Sequence, residues 1–255
     1  MAKVAFVTGG TRGIGRAICQ RLKADGFEVA AGYSGNEAAA EACARDLGVM
    51  VVKGNVGVFA DCKAAVDQVA AELGPVDVLV NCAGIMDIIS ITGTGWEQGK
   101  RLLDINFTAP MRLMDLALPT MVEARNGCVI NVASMAGRVP IRGCSYYGGA
   151  KAGIGLASEI ARLDLKKQGV NVITVYPGPI HSGLESHARS QVKKGPVSRY
   201  IPTGKPEVLA ERIYRTFRKG GARVIYPDIY ALAKQVANLN LTNRAMDFFS
   251  PQPNQ

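Results

Sequence analysis

Tyr147 and Lys151 stand four residues apart in Ser145-Tyr146-Tyr147-Gly148-Gly149-Ala150-Lys151-Ala152-Gly153. On a helix that spacing puts both side chains on one face. A phenol is a poor proton donor or acceptor at neutral pH, because its unperturbed pKa is about 10. An ammonium one turn away favours the phenolate and brings that pKa toward the working range. Alone, the pair arises often by chance, as a packed ring beside a solvated lysine. Tyr146, five residues from Lys151, is expected to point elsewhere.

The segments around this pair decide what it means. Its own helix is expected to run to about Gln168, with Ile154, Leu156, Ile160, Leu163 and Leu165 as apolar residues. At the other end of the chain, Lys3-Val4-Ala5-Phe6-Val7-Thr8 reads as a strand that breaks at Gly9-Gly10-Thr11-Arg12-Gly13-Ile14-Gly15. Ile14, Ala17, Ile18 and Leu22 then mark an amphipathic helix. A strand, a glycine turn and a helix N-terminus together bind anions, since free backbone N–H groups and the helix dipole face the ligand. In this context the turn is a dinucleotide signal.

The second strand is Glu28–Tyr33, followed by Ser34-Gly35-Asn36 and an alanine-rich helix. An NAD site places an acidic residue on the ribose 2′-hydroxyl near this strand's end. Tyr33 and Ser34 occupy that region, with no carboxylate beside them. Arg12 could instead face a 2′-phosphate with the Ser34 hydroxyl as a second donor, so the sequence leans toward NADP(H). The plainer alternative for Arg12 is a solvated surface residue.

Further strands are expected at Met50–Gly54, Val76–Val80, Cys128–Val132 and Val170–Tyr176, and the last at Ala222–Tyr226. A helix should cover about Asp61 to Leu73, and a helical region Trp96 to Glu123. Continuously apolar strands separated by helices imply a parallel sheet buried on both faces. The expected fold is therefore α/β: a doubly wound, Rossmann-type sheet of about seven strands forming a single domain. Ligands of such sheets bind beyond the carboxyl ends of the strands. The glycine turn, Asn55-Val56, Asn81-Cys82-Ala83-Gly84, Ser134 and Pro177-Gly178-Pro179 all lie there. Asn106 falls inside a helix, where its amide competes for backbone hydrogen bonds. It is either a satisfied core amide or a functional kink.

Together these segments closely resemble the short-chain dehydrogenase/reductase family over about Lys3 to Ser182. Thr8–Gly15 is similar to that family's Thr-Gly-x-x-x-Gly-x-Gly cofactor turn, and Asn55-Val56 to its adenine-contacting pair, where Asp-Val is commoner. Asn81-Cys82-Ala83-Gly84 is similar to its Asn-Asn-Ala-Gly, and Pro177-Gly178-Pro179-Ile180-His181-Ser182 to its segment beside the nicotinamide. The resemblance implies a catalytic set of Asn106, Ser134, Tyr147 and Lys151. It implies that Tyr147 exchanges a proton with the substrate oxygen and that Lys151 holds the nicotinamide ribose and lowers the Tyr147 pKa. Ser134 would hydrogen-bond the substrate, and Asn106 would distort its helix so that a backbone carbonyl holds relay water. The implied cofactor shell is Gly9, Thr11, Arg12, Gly13, Ile14, Gly15, Tyr33, Ser34, Asn55, Val56, Asn81, Ala83, Gly84, Tyr147, Lys151, Pro177, Gly178, Ile180 and Ser182. His181 and His187 are expected to be incidental.

The N-terminal half is similar in flavour to bacterial 3-oxoacyl-thioester and acetoacetyl-CoA reductases. The C-terminal part departs from them, and the division expected is a domain at 1–227 with a helical extension at 228–255. The substrate loop should span about 183–205, with Met86, Asp87, Ile88, Arg138 and Arg142 near its mouth. Arg189, Lys193, Lys194 and Arg199 in that loop suit an anionic substrate, though solvated loop charge explains them about as well.

Composition bounds the rest. The 255 residues, 48% hydrophobic and 20% charged, are those of a folded domain. No apolar run could span a bilayer, and no signal-peptide pattern opens the chain. The six cysteines are spaced singly, which argues against zinc or a disulfide framework and for core residues in a reducing cytoplasm. Net charge is +9, concentrated after Ser186, where twelve Lys and Arg face four Asp and Glu. That excess could attract phosphate-bearing ligands, but no aromatic-basic interleaving supports nucleic-acid binding. The leading expectation is an NADPH-dependent carbonyl reductase with a small-molecule substrate, no metal and a homo-oligomeric state, dimer or tetramer. A cofactor-binding redox sensor without turnover is the rival, and Tyr147 argues against it.

Overall fold

The structure, a computed structural model, describes residues 2–192 and 202–230. Seven strands, β1 (Val4–Thr8), β2 (Glu28–Tyr33), β3 (Met50–Lys53), β4 (Val78–Asn81), β5 (Gly127–Val132), β6 (Val170–Pro177) and β7 (Arg223–Tyr226), form one sheet. Its order is β3-β2-β1-β4-β5-β6-β7 and all of its pairings are parallel. The strand order reverses between β1 and β4, so a crevice opens between their carboxyl ends, where doubly wound sheets bind ligands. The helices are α1 (Gly13–Lys23), α2 (Glu37–Leu47), α3 (Phe59–Glu72), α4 (Trp96–Leu103), α5 (Ala109–Glu123), α6 (Ser145–Leu165), α7 (Gly183–Ser190) and α8 (Pro206–Arg218).

Burial follows from this layering. Val4 to Thr8 are all buried, as are Val78 to Asn81, because each central strand is covered on both faces. One apolar cluster joins β1, β5 and β6 to α1 and α8, and a second joins the opposite face to α3 and α5. All six cysteines are free; five are buried and Cys82 is half-buried. Burial pushes the thiols of Cys128 and Cys144 up to about 12, so they act as small core residues. No helix among the described residues is long and apolar enough to cross a membrane.

Two expected helices differ in detail. The region from Trp96 to Glu123 is interrupted by a π-turn at Asp104–Thr108, which contains Asn106. The apolar residues expected on α6 divide: Ile154 and Leu165 are buried, whereas Leu156, Ile160 and Leu163 are 65%, 50% and 64% exposed. The expected extension beyond Tyr230 lies outside the described residues, as do Lys193, Lys194 and Arg199.

Candidate active site

The glycine turn after β1 is shaped for a close approach. Gly9 and Gly13 adopt φ of +63° and +52°, the left-handed region that favours glycine. A Cβ on Gly15 would lie 2.2 Å from the Gly9 oxygen, so helix α1 can start against the turn only with glycine there. Thr8 Oγ1 accepts from the backbone N–H groups of Cys82 and Ala83 at 3.0 and 3.1 Å, tying β1 to the loop after β4. On the far side, a Cβ on Gly13 would sit 3.3 Å from Ser182 Cβ. The two segments expected to flank the cofactor thus face each other. The Ser182 hydroxyl itself caps α7, accepting from the Glu185 N–H.

A ladder of buried amides holds the floor. Asn81 donates to Asn131 at 2.8 Å, Asn131 donates to Ser158 at 2.8 Å, and Ser158 returns a bond to the Ile154 carbonyl. This ladder fixes α6 against β4 and β5, and α6 carries Tyr147 and Lys151. Both are buried, 5% exposed. Lys151 Nζ donates to the Val132 carbonyl at 2.8 Å and lies 5.9 Å from the Tyr147 ring centre. Tyr147 is hydrogen-bonded to Ser134, which follows β5. Asn106 donates to the carbonyls of Ile85 and Leu102 at 2.8 and 2.9 Å. Its Oδ1 is buried with no partner, 2.8 Å from where a Cβ on Gly84 would stand. All four expected catalytic residues therefore converge beyond the carboxyl ends of β4 and β5. The π-turn is the helix distortion expected at Asn106, since one extra residue per turn frees backbone groups.

In the protein alone, burial governs the pKa of Tyr147. Burial pushes that phenol up to about 12, against the Ser134 hydrogen bond, which pulls it down. Burial also draws the Lys151 ammonium down to about 8. Desolvation of the phenolate is the largest influence on it. Tyr147 is thus a neutral phenol at neutral pH, equipped to donate.

At the end of β2 a carboxylate is present that the linear sequence hides. Glu37, on the first turn of α2, accepts from the Tyr33 hydroxyl at 2.6 Å and pairs with Lys53 at 2.6 Å. Its position four residues after Tyr33 was the available signal. Arg12 and Ser34 are exposed beside this end. Asn55 Oδ1 accepts from the Gly57 N–H, which turns the chain after β3. A cavity of about 320 Å³ opens beside Asn55, bounded also by Lys100, Arg101 and Asp104. Neither cation there is singled out by the sequence, because helical spacing alone does not bring α4 beside Asn55.

Three residues expected near the mouth contact α7 and its end. Met86 and Ile88 pack with Cys144 and Ala188, joining the loop after β4 to α7. Asp87 accepts from Gln98 at 3.0 Å and Gln191 at 3.3 Å and contacts His187 Nε2 at 3.2 Å. Burial would raise the Asp87 carboxyl, but these hydrogen bonds hold it below the usual range. His187 thus has a contact with the mouth loop. Arg138, expected at the mouth, stacks on Tyr176.

The residues fit a dinucleotide. The glycine turn offers free N–H groups at a helix start; Gly10 and Gly15 let it pack against β2 and against itself, and a Cβ on Gly84 would stand among Asn106 Oδ1 and Lys151 Nζ. No group of His, Cys, Asp and Glu suited to a metal occurs among the described residues.

Comparison with known proteins agrees with this geometry. The family model described as short chain dehydrogenase matches residues 3–193. An acetoacetyl-CoA reductase of Rhizobium meliloti is 35% identical over 214 residues, 82% of this chain and 88% of the relative. A 3-oxoacyl-acyl-carrier-protein reductase (FabG) of Staphylococcus aureus is 34% identical over 200 residues, 76% and 81% of the two chains. A short-chain dehydrogenase from Sphingobium yanoikuyae, solved in complex with NADPH, superposes with a TM-score of 0.78 at 23% identity, covering 99% of this chain and 98% of that one. The chain belongs to the short chain dehydrogenase family and is an oxidoreductase that uses a nicotinamide cofactor.

Proposed function

We propose that this protein is a cytoplasmic, NADPH-dependent reductase of a ketone, with a 3-oxoacyl thioester as the favoured substrate class and Tyr147 as general acid. The convergence of Ser134 on a buried, neutral Tyr147 carries the reading. When bound, the nicotinamide supplies the hydride. The Ser134 hydroxyl and the Tyr147 phenol orient the substrate oxygen, and Tyr147 gives it a proton as negative charge develops there. Lys151, with one proton committed to the Val132 carbonyl, has two left for the ribose and for proton return. The unpartnered Asn106 Oδ1 lies close to where this path would run.

Preference for the 2′-phosphate rests on Arg12. It is exposed beside the glycine turn, while Glu37 is occupied by Tyr33 and Lys53 and so is poorly placed to receive a ribose hydroxyl. The names of the two bacterial relatives favour the thioester class. The stripe of Leu156, Ile160 and Leu163, at helical spacing on α6, supports pairing of two copies.

The test is NADPH consumption against a carbonyl panel that includes acetoacetyl-CoA, with Tyr147→Phe and Arg12→Ala in parallel. Turnover should be lost in Tyr147→Phe by a factor of roughly 10² to 10⁴, the span of general acid catalysis. Arg12→Ala should weaken NADPH by about 10-fold to 100-fold, the worth of a charged hydrogen bond, and leave NADH unchanged. Tight NADPH binding without turnover of any carbonyl would replace this reading with a redox sensor.

A further inference from the structure

Arg138 closes the short turn that carries Ser134. Its guanidinium lies 4.4 Å above the Tyr176 ring centre, and Nη2 donates to the Tyr176 hydroxyl at 2.5 Å. Tyr176 is 1% exposed and immediately precedes Pro177-Gly178. Its hydroxyl also lies 3.5 Å from the Gly155 carbonyl and 3.5 Å from Glu159 Oε1, both on α6. Glu159 is buried and forms a two-pronged pair with Arg223 of β7.

One buried carboxylate and one buried phenol therefore join four segments. These are the Ser134 turn, the helix bearing Tyr147 and Lys151, the end of β6, and β7. The turn also touches α6 directly, since a Cβ on Gly137 would lie 2.5 Å from the Ala152 nitrogen. Apolar packing in the same layer, through Ala133, Met135 and Ile154, could hold these parts together without desolvating any ion. What the guanidinium adds is direction. A planar group both stacked on a ring and bonded at its rim has one orientation, whereas apolar contacts permit sliding. Only Met135, Ala136 and Gly137 separate Arg138 from Ser134 in a single tight turn, so movement of one shifts the other.

We propose that Arg138, held by Tyr176 with the Glu159–Arg223 pair behind it, is a positioning residue that sets the Ser134 hydroxyl against Tyr147. The proposal rests on the reading of Tyr147 as proton donor, and Arg138 acts through Ser134 alone.

A double-mutant cycle tests it. Arg138→Ala should lower kcat roughly 10-fold to 100-fold, as small misplacements of catalytic groups do, with KM for NADPH little changed. Arg138→Lys, which keeps charge but not the stack, should fall between, and Tyr176→Phe should act in the same direction with less disturbance of packing. In a Ser134→Ala background, Arg138→Ala should cost nothing further. A second readout needs no turnover: the ¹⁹F resonance of Tyr147 in 3-fluorotyrosine-labelled protein, identified by its loss in Tyr147→Phe. Ser134→Ala and Arg138→Ala should move it alike, and the double variant should match Ser134→Ala. Additive losses in kcat, or a Tyr147 resonance indifferent to Arg138→Ala, would overturn the proposal. A wild type that reduces no carbonyl while the resonance responds as expected would remove the reductase reading and leave the positioning role standing.

Discussion

Lys151 donates to the Val132 carbonyl at 2.8 Å and keeps 5.9 Å from the centre of the Tyr147 ring, while Tyr147 bonds to Ser134. The ammonium is anchored to the sheet and does not salt-link the phenol. Each group is consequently shifted by burial in the direction of its neutral form: Tyr147 up to about 12 and Lys151 down to about 8. The proton donor for reduction is present throughout the neutral range, and its conjugate base is scarce.

The two directions of the reaction should therefore respond to pH in opposite ways. Ketone reduction should stay level from pH 6 to the region of the Lys151 transition near 8 and fall above it. Alcohol oxidation needs the phenolate, so it should climb with pH over the same range. Initial rates in both directions at constant ionic strength check this. An oxidation rate that is flat across neutral pH would assign the proton transfer to another group.

Lys151 also predicts how stability varies with pH. Its pKa falls from 10.5 in the unfolded chain to about 8 in the folded protein. Below about 8 both states hold the proton and the folded state carries the cost of a buried ammonium. Between about 8 and 10.5 the unfolded state binds more protons, so stability rises with pH. The full span corresponds to about 3 kcal/mol. Lys151→Met removes this dependence but leaves the Val132 carbonyl unpaired, a cost of about 1–3 kcal/mol. Urea unfolding from pH 7 to 10 should show the wild type gaining on Lys151→Met as pH rises. Parallel profiles would mean that the ammonium is hydrated in the folded protein.

Much of this arrangement is legible in the sequence. The strand-turn-helix opening, the apolar strands and the Tyr147–Lys151 spacing are local patterns, and each came out within a few residues of its observed bounds. What stayed hidden depends on long-range placement. Glu37 was not recognised at the ribose end because its side chain turns back to Tyr33 and Lys53. The stacking of Arg138 on Tyr176 is hidden because the two lie 38 residues apart in the chain. The burial of the Tyr147 ring is equally long-range: spacing reports the ammonium but not the loss of water around the ring.

Tyr146, the neighbour of the proton donor, has a packing role on α4. A Cβ on Gly99 would lie 2.4 Å from its ring, so ring and helix backbone are in direct contact. Gly99→Ala should destabilise the protein by about 1–3 kcal/mol through overpacking. Tyr146→Ala in the same chain should restore part of the loss, because the methyl then has room. Tyr146→Phe should keep turnover, in contrast to Tyr147→Phe. Denaturation of the three variants beside activity assays decides the point, and a lost activity in Tyr146→Phe would give its hydroxyl a chemical role.

The outer face of α6 sets the last expectation. Leu156, Ile160 and Leu163 stand 65%, 50% and 64% exposed at positions i, i+4 and i+7, on the helix whose inner face holds Tyr147 and Lys151. Three large apolar side chains on one exposed stripe are unfavourable in water, at roughly 1.5–3 kcal/mol for each that could be fully buried. A second copy presenting the same stripe would cover them, and its packing would stiffen α6 behind the site. Ile160→Glu should then convert the assembly to monomers in light scattering, because two like charges would meet across the symmetry axis. Turnover per chain should fall with dissociation as the helix loses its support. A wild type that is monomeric at micromolar concentration would sink the pairing. An Ile160→Glu variant that stays assembled would move the contact to another face.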